Sequence, residues 1–192
     1  MCAYSLANLI RARFPMIYIT TFEEDRVTKY IKSIVTDEKQ VKYPREVFTW
    51  TQTAGLYNQT LLKAVSDTTC PNKMLEYIRK YEKDAVFILY DFNVNFGPKG
   101  RQPDYGIIRK IRDIIPDLKL GNVRKTVFFI GTELLIPESL QKEITIYDFP
   151  LPTLDEIRAK FNSMLSQNKS VIVEINDEDR DKLCKAALGL TL

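Results

Sequence analysis

The chain has 192 residues, enough for one domain with a sizeable core, and 45% of the residues are hydrophobic while 28% are charged. Its net charge of +3 is too small to indicate a nucleic acid or an anionic membrane as a partner. There is no histidine, which excludes Ser-His-Asp and Cys-His catalysis and histidine-ligated zinc. Three widely spaced cysteines (residues 2, 70 and 184) exclude a disulfide framework and a paired-cysteine metal site, and they favour a reducing, cytoplasmic compartment.

The first part of the chain predicts one strand and one amphipathic helix. The apolar stretch at residues 6–10 is too short for a signal sequence or a membrane span. Residues 15–21 form an apolar run that begins at a proline and predicts a strand. Thr21 and Glu24 have the spacing of a capping box, and apolar residues then recur at helical spacing up to residue 35.

The middle of the chain contains two further predicted strands. Residues 47–51 alternate between apolar and polar side chains, as in a half-buried strand. The stretch 52–72 predicts an irregular excursion with a short turn or hairpin, and a helix is predicted at 73–81. Residues 85–92 read AVFILYDF, which predicts a buried strand that ends at Asp91.

The clearest predicted helix lies in the second half of the chain, at residues 105–120, where the isoleucines form one stripe and Pro116 is expected to kink the last turn. A fourth continuous apolar strand is predicted at 125–131. The remaining predictions are a short helix at 137–142, a fifth strand at 144–149, a helix capped by Thr153 and Glu156 with a buried face of Ile157, Phe161, Met164 and Leu165, an extended segment at 171–175 and a final helix at 177–188.

The order of these elements indicates the fold class. Apolar strands that alternate with amphipathic helices are typical of a parallel sheet that is covered on both faces. The predicted fold is therefore α/β, a three-layer sandwich with a mainly parallel five-stranded sheet and helices on both faces. No repeat, low-complexity tract or linker divides the sequence. We expect one α/β domain at 1–175 and the beginning of a further helical segment at 176–192.

Two of the predicted strand ends do not match each other chemically. Asp91 ends a buried strand, which is where P-loop ATPases place the Walker-B carboxylate that binds magnesium. The matching feature would be a glycine-rich loop with Lys-Ser/Thr after an earlier strand. The strand at 15–21 instead continues into Phe22-Glu-Glu-Asp-Arg26, which has neither glycine nor lysine. The sequence therefore predicts an ATPase scaffold without its phosphate loop.

Four groups of short strings occur in a set order along the chain, at 9–18 with 22–27, at 50–56, at 136–140 with 146–152 and Arg158, and at 183–192. Their order and spacing resemble those of the Ycf46-like AAA-type ATPases of bacteria, cyanobacteria and plastids, over essentially the whole chain. The resemblance implies an N-terminal AAA-like domain without a phosphate loop, followed by a second AAA domain that binds and hydrolyses ATP. It also implies a sheet of P-loop/AAA type with the strand order 5-1-4-3-2, and a lid-like beginning at 176–192.

The residues that would perform phosphoryl transfer in such a family are altered. Asp91 resembles a vestigial Walker-B residue, but Phe92 stands where an active site would carry the glutamate that orients water. Thr132 is nearest to the sensor-1 position, which usually holds asparagine, and Gln-Lys-Glu at 141–143 lies where arginine fingers are placed. We therefore expect no catalytic residue, no metal site and no cofactor in this chain, and ATP with magnesium only in the downstream domain.

Several features have an ordinary structural interpretation beside a functional one. Asp91 is expected to cap the following turn or to contact a basic side chain, and the acidic residues 23–25 suit the dipole at the start of a helix. The glycine-containing loop 96–103 predicts a mobile connection that by analogy faces a ring pore, and residues 55–57 take the place of an aromatic pore loop, with a packed loop as the default. A solvated helix face is favoured over a site for nucleic acid or a phosphorylated partner at Arg101, Arg109, Lys110, Arg112, Lys119, Arg124 and Lys125.

Three functional hypotheses follow from these patterns. The first is a non-catalytic AAA-like module that serves assembly, regulation or partner contact for the downstream ATPase domain, with a homo-oligomeric ring and a protein substrate or partner as its contacts. The second is a degenerate nucleotide-binding domain that binds ATP or ADP weakly without hydrolysis. The third is a small enzyme of flavodoxin-like architecture with a ligand at the carboxyl ends of the strands, although no catalytic set converges there. Neither a membrane nor a nucleic acid is expected as a partner.

Overall fold

The computed structural model describes residues 5–98, 100–167 and 176–191. The chain divides into two compact units, Met1–Phe149 and Pro150–Leu192. The first unit contains a sheet with helices on both faces, and the described residues of the second form two helices. In the described ranges, no helix is long and apolar enough to cross a membrane.

The first unit is built around one mixed sheet of seven strands. In chain order these are β1 (Met16–Thr20), β2 (Glu46–Thr51), β3 (Gly55–Asn58), β4 (Lys63–Ala64), β5 (Ala85–Tyr90), β6 (Lys125–Gly131) and β7 (Ile144–Ile146). They lie side by side in the order β4-β3-β2-β5-β6-β1-β7. The strands β2, β5, β6, β1 and β7 are parallel to one another. The strand β3 pairs in antiparallel fashion with β2 on one side and with β4 on the other.

The prediction of a five-stranded sheet is corrected by this topology. The five predicted strands correspond to β1, β2, β5, β6 and β7, and they keep the relative order 5-1-4-3-2. The excursion at 52–72 supplies the two additional strands, β3 and β4, which extend the sheet beyond β2. The hairpin considered for this excursion is therefore present as β3 and β4, and it is an ordered part of the sheet.

The additional strands are fixed by Thr68, which is 3% exposed. The Thr68 hydroxyl donates to the Val65 carbonyl (2.7 Å) and accepts from the Leu56 N–H (2.8 Å). The Thr68 carbonyl accepts from the indole N–H of Trp50 at 2.7 Å. Gly55 begins β3 with a φ of +75°, and a Cβ there would lie 2.8 Å from the Thr68 hydroxyl oxygen. Glycine is therefore required at this position by both conformation and space.

Six α-helices and two 3₁₀ helices lie in the described residues. In the first unit, α1 and α2 pack on one face of the sheet, and α3 and α4 pack on the other. The helices are α1 (Leu6–Arg11), α2 (Glu24–Thr36), α3 (Pro71–Lys80), α4 (Tyr105–Leu120), α5 (Leu154–Gln167) and α6 (Asp177–Ala186), with 3₁₀ helices at Phe92–Phe96 and Glu138–Leu140.

The sheet is buried on both faces because successive side chains of a strand point to opposite sides. Along β1, Met16 and Tyr18 join the core with α3 and α4, whereas Ile17 and Ile19 join the core with α1 and α2. A strand that is covered on both faces has no polar side. This explains the continuous apolar runs of β1, β5 and β6 that were visible in the sequence.

The two predicted capping boxes have different outcomes. The box at the start of α5 is confirmed, because the Thr153 N–H donates to the Glu156 carboxylate (2.8 Å) and the Glu156 N–H donates to the Thr153 hydroxyl (3.3 Å). The box at Thr21 is wrong, because its hydroxyl accepts from the Glu23 N–H at 3.0 Å and α2 begins one residue later, at Glu24.

Other local predictions differ in detail. The helix α1 was not predicted. The helix predicted at 105–120 is confirmed as α4, with Pro116 inside it. The predicted buried face of α5 is buried only at Ile157, and Met164 is 52% exposed. The extended segment at 171–175 lies outside the described residues. Residues 176–192 were predicted as the beginning of a lid, and their described part contains α6, which leaves the lid itself a prediction.

Candidate functional site

The candidate site is the carboxyl edge of the sheet, where β5, β6 and β1 end side by side. Thr21 follows β1, Asp91 follows β5 and Thr132 follows β6. In open α/β sheets, ligands bind at the carboxyl ends of the strands. The structure therefore brings Asp91 and Thr132, the residues that the sequence analysis compared with Walker B and sensor 1, to adjacent strand ends, next to the junction after β1.

The junction between β1 and α2 consists of three residues, Thr21–Glu23. The Thr21 N–H donates to the Gly131 carbonyl at 3.0 Å, which continues the pairing of β1 with β6. The Glu23 N–H donates to the Thr21 hydroxyl at 3.0 Å. Two of the three junction amides are thus bonded within the protein.

The last junction residue places a buried carboxylate at the start of α2. Glu23 is 8% exposed, and its Oε2 lies 3.0 Å from Nη1 of Arg26. The Arg26 guanidinium in turn lies 4.5 Å from the centre of the Phe149 ring. A cation above an aromatic ring is attracted by its negative face, so this stack helps to hold Arg26 beside Glu23. The three side chains therefore form a chain of contacts at the start of α2.

Asp91 lies at the tip of β5 in the left-handed region, with a φ of +50°. Its N–H donates to the Ile130 carbonyl at 2.8 Å, and its side chain is exposed. Within the described residues, the Asp91 carboxylate neither caps the following 3₁₀ helix nor forms an ion pair, so the expected capping or basic contact is not observed there. Aspartate tolerates the left-handed conformation better than most residues, which suits it to this sharp turn.

The residue after Asp91 points into the core. Phe92 is completely buried, and its ring centre lies 5.6 Å from that of Trp50 and 5.5 Å from that of Phe129. Phe96, at the end of the same 3₁₀ helix, packs against both Phe92 and Phe129 at 5.6 Å. The position of a water-orienting glutamate is therefore part of an aromatic cluster.

Sequence reasoning missed two polar side chains beneath the edge. The Tyr18 hydroxyl donates to the Glu133 carbonyl at 2.6 Å. The Asn93 Oδ1 is buried without a hydrogen-bond partner in the described residues, close to Gly131, where a Cβ would lie 3.2 Å from it. No sequence signal marked them, because Tyr18 reads as one apolar residue of a strand and Asn93 reads as a loop residue. Thr132 itself is exposed and forms no hydrogen bond in the described part of the chain.

The electrostatic character of this edge is negative. Burial raises the pKa of the Glu24 carboxyl, and the nearby charges of Asp91 and Asp25 raise it further. Burial likewise raises the pKa of Tyr18 to about 12, with smaller contributions in the same direction from Asp91 and Glu133. These mutual effects require the carboxylates to lie close to one another. No group of three potential metal ligands converges in the described ranges.

The segment at 141–143 contains no arginine, and its contacts are structural. Glu143 pairs with Lys119 at 2.6 Å, and the Glu143 N–H donates to the Leu140 carbonyl. The segment follows the 3₁₀ helix Glu138–Leu140 and leads into β7. It therefore connects two elements and offers no guanidinium of its own.

Some of the basic residues that were predicted to lie on a solvated helix face are exposed and paired with carboxylates, but one of them is buried. Arg109 pairs with Asp113 and Lys110 with Glu76 on the surface. Lys125 is the exception, because it is 5% exposed and its Nζ donates to three carbonyls at the end of α3, those of residues 78, 79 and 81, at 2.8–3.0 Å. Burial lowers the pKa of the Lys125 ammonium.

The two loops compared with pore loops are packed where the structure describes them. Leu56 is completely buried in β3, so the stretch 55–57 is a strand and not an exposed aromatic loop. In the predicted mobile connection, Gly97 packs against Pro103, and the Asp104 N–H donates to the Asn95 carbonyl at 3.0 Å. The third hypothesis, a flavodoxin-like enzyme, gains no catalytic set from the described residues at this edge.

Similarity to known proteins agrees with this architecture. A model of the N-terminal domain of SpoVK-like AAA ATPases matches residues 2–149. The AAA domain-containing protein ycf46 of Guillardia theta is 33% identical over 186 residues, and that of Trieres chinensis is 31% identical over 189 residues. These alignments cover 96% and 97% of this chain but 34% and 35% of the relatives. The chain thus spans about a third of the length of these curated relatives.

A solved structure shares the fold at low sequence identity. A chain of the E. coli MS115-1 HORMA:CdnC:Trip13 complex superposes with a TM-score of 0.54 over 91% of this chain and 59% of that chain, at 12% identity. The family match covers most of the first structural unit, and the Ycf46-like relatives extend over nearly the whole chain. The chain therefore belongs to the SpoVK-like AAA ATPase family, whose N-terminal domain it contains.

Proposed function

We propose that this chain is a non-catalytic AAA-like module of a longer AAA-type ATPase. It serves assembly, regulation or partner contact, while a downstream domain outside this chain binds ATP with magnesium and hydrolyses it. The observation that carries the proposal is the three-residue connection Thr21–Glu23 between β1 and α2. A phosphate loop surrounds the nucleotide phosphates with free backbone amides and a lysine, and a three-residue connection with internally bonded amides does not fit them.

The chemistry around the connection supports the same proposal. Glu23 is the N-cap residue of α2, and Glu24 and Asp25 occupy its first turn, where a phosphate would otherwise meet the positive end of the helix dipole. Phe92 is buried among aromatic rings, so it supplies no group that orients water. Phosphoryl transfer needs phosphate binding, metal and water positioning together. An ATP-magnesium complex therefore does not fit the residues at this edge, and the chain is proposed to need no cofactor of its own.

The contacts of the module are part of the proposal. Its partners are the downstream ATPase domain of the same protein, other copies in a homo-oligomeric ring, and a protein substrate or partner. A cytoplasmic location agrees with the odd number and wide spacing of the three cysteines in the sequence. The phosphate-rich surface of a nucleic acid or a membrane does not suit the acidic edge.

One observation favours a second candidate function. Asp91 remains exposed at the tip of β5, the position from which a Walker-B carboxylate binds magnesium. A domain that retains this carboxylate alone is a degenerate site that binds ATP or ADP weakly without hydrolysis. The two candidates differ in whether ATP with magnesium stabilises the folded chain.

The test is a thermal unfolding measurement on the 192-residue chain, followed by the fluorescence of Trp50, its single tryptophan. A ligand that binds only the folded state at a hundredfold excess over its Kd stabilises that state by about 2.7 kcal/mol. We expect millimolar ATP with magnesium to leave Tm unchanged relative to magnesium sulfate of equal ionic strength. A rise of several degrees that Asp91→Asn abolishes favours the second candidate. Steady ATP turnover lost in Asp91→Ala contradicts both candidates.

A further inference from the structure

The carboxyl edge carries three exposed apolar side chains, one after each of three neighbouring strands. Phe22 follows β1 and is 78% exposed, Val94 follows β5 and is 42% exposed, and Leu134 follows β6 and is 50% exposed. Because β5, β6 and β1 are consecutive and parallel, their ends lie about 4.8 Å apart from one strand to the next. The three apolar side chains therefore occur along one short edge of the sheet.

Exposed carboxylates accompany these apolar side chains. Glu24 and Asp25 follow Phe22, Asp91 precedes Val94 by three residues, and Glu133 precedes Leu134. In the described ranges, none of these four carboxylates forms an ion pair. Three of them also interact electrostatically: the pKa of Glu24 is raised first by burial and then by the nearby charges of Asp91 and Asp25. Four unneutralised charges are thus concentrated at one edge.

The backbone beneath these side chains is held in place. The carbonyl of Glu133 accepts from the Tyr18 hydroxyl at 2.6 Å, and Asp91 donates its N–H to Ile130 at 2.8 Å. Thr21, next to Phe22, donates its N–H to Gly131 at 3.0 Å. A surface that is already ordered loses little conformational entropy when a partner binds. This edge of the sheet is therefore ordered before a partner binds, as in a preformed interface.

We propose that this acidic-apolar edge, formed by Phe22, Glu24, Asp25, Asp91, Val94, Glu133 and Leu134, docks a basic protein segment that alternates arginine or lysine with large apolar side chains. The inference rests on the proposed function, because a nucleotide at this edge would cover the same residues. The segment's cations meet the carboxylates, and its apolar side chains cover Val94 and Leu134. The exposed ring of Phe22 accepts a guanidinium over its face.

The sign of the charge selects this class of partner. Nucleotides, nucleic acids and anionic lipids all present phosphates, which the four carboxylates repel. A bare metal ion or a polyamine would satisfy the charge but would leave Phe22 and Leu134 exposed to water. A basic segment with apolar side chains satisfies both properties. Because the charges are exposed, its binding weakens as the salt concentration rises.

The test is a fluorescence anisotropy titration of the 192-residue chain with a labelled synthetic peptide that alternates arginine and leucine. We expect saturable binding to the wild-type chain and binding about threefold to tenfold weaker in the double variant Glu24→Gln, Asp91→Asn, since each lost surface charge contributes modestly. The matched control removes two exposed carboxylates before β2 and β5, at the opposite edge, with Glu38→Gln and Glu82→Gln. It is expected to bind the peptide like the wild type. Asparagine at 91 tolerates the left-handed backbone, so folding is preserved.

A second variant and a second peptide separate the apolar contribution from the charge. We expect Phe22→Ser to weaken binding of the arginine–leucine peptide severalfold, and a peptide that alternates arginine and serine to bind weakly to every form. Equal weakening in the acidic-edge and control variants, or equal binding of both peptides, overturns the inference. Self-association that Phe22→Ser abolishes, without peptide binding, assigns the edge to a second copy and also overturns it.

The two proposals fail in distinguishable ways. If neither ATP with magnesium nor the peptide binds, the docking inference fails while the non-catalytic function stands. If ATP with magnesium stabilises the chain through Asp91, the proposed function fails, whatever the peptide does. Peptide binding that ATP with magnesium does not affect supports both.

Discussion

Arg26 Nη1 lies 3.0 Å from Glu23 Oε2 at the point where the first strand of an AAA domain would lead into a phosphate loop. The side chain of Glu23 is 5% exposed and that of Arg26 is 14% exposed. In this largely buried pair, the negative charge of Glu23 is neutralised by a side chain of the same protein. The junction residues therefore bind other groups of the protein, whereas the amides of a phosphate loop are free to bind a ligand.

Removal of Glu23 should destabilise the first unit. In Glu23→Ala, the mostly covered Arg26 side chain loses this carboxylate, and loss of one partner of a largely buried pair costs about 3 kcal/mol. Urea unfolding followed by Trp50 fluorescence measures the change in the free energy of unfolding. The control is Glu24→Gln, at the neighbouring exposed position, which should not lower that free energy because repulsion from Asp91 and Asp25 is relieved. Equal destabilisation by both variants would contradict the structural role of the Glu23–Arg26 pair.

Restoration of a Walker-B glutamate should fail at Phe92. A carboxylate in the aromatic cluster of Trp50, Phe96 and Phe129 would be buried without a partner, and we expect Phe92→Glu to cost about 4 kcal/mol or more. Phe92→Leu keeps the site apolar and should cost about 1–2 kcal/mol. Denaturant midpoints distinguish the two variants. A stable Phe92→Glu chain, especially one with ATPase activity, would show that this position faces a functional site.

Substitution of Gly55 should disturb the additional strands. In Gly55→Ala the new Cβ would lie 2.8 Å from the Thr68 hydroxyl oxygen, in a backbone conformation with φ of +75°, and we expect a loss of about 2 kcal/mol. Gly100→Ala is the matched control, because its φ is +84° but no atom lies within 4 Å of the new Cβ. It should lose about 1 kcal/mol from backbone strain alone. A comparison of unfolding midpoints tests the difference, and no difference would argue against the Thr68 anchor.

The alkaline stability of the chain should depend on Tyr18. Its pKa is raised from 10.0 to about 12 in the folded state, so the unfolded state releases the proton first as the pH rises. The contribution of Tyr18 to the free energy of unfolding is therefore fully present below pH 10 and is lost between about pH 10 and pH 12, by a linkage of about 1.4 kcal/mol per pH unit. Urea unfolding of the wild type and of Tyr18→Phe across this range measures the difference.

The corresponding control is Tyr105→Phe, at a tyrosine that is 70% exposed. It should leave the alkaline dependence of the wild type intact, whereas Tyr18→Phe should make it less steep. Burial also raises the pKa values of Tyr77, Tyr81 and Tyr90, and these tyrosines account for the slope that remains. Tyr18→Phe also loses the hydrogen bond to the Glu133 carbonyl, so a lower stability at neutral pH is expected as well. An unchanged alkaline slope in Tyr18→Phe would contradict the assigned pKa shift.

The parallel sheet could be predicted because its strands are buried on both faces. The runs around Ile17, Phe87 and Phe128 are apolar at every position, and such runs between amphipathic helices leave few topologies. For β3 and β4 the sequence predicted only a short turn or hairpin without strand bounds, because these strands are short and contain polar residues such as Asn58 and Lys63. Their position depends on Thr68, whose contacts to Leu56 and Trp50 form only in the folded chain.

The site could be located from the sequence but not described. Asp91 marked the correct strand end, and the missing glycines marked the junction after β1. The partners within the junction depend on tertiary contacts: the Thr21 amide bonds to Gly131, so its hydroxyl is directed to Glu23 and not to a full capping box. Lys125 shows the same limit, because a lysine that reads as a surface charge is buried at the end of α3.

The most direct test of the central claim is a calorimetric titration of the 192-residue chain with ATP and magnesium, beside the same titration of Asp91→Asn. We expect no saturable heat of binding for either form at millimolar nucleotide, because the Thr21–Glu23 connection and the acidic first turn of α2 exclude the phosphates. Saturable binding to the wild-type chain that is lost in Asp91→Asn would contradict it.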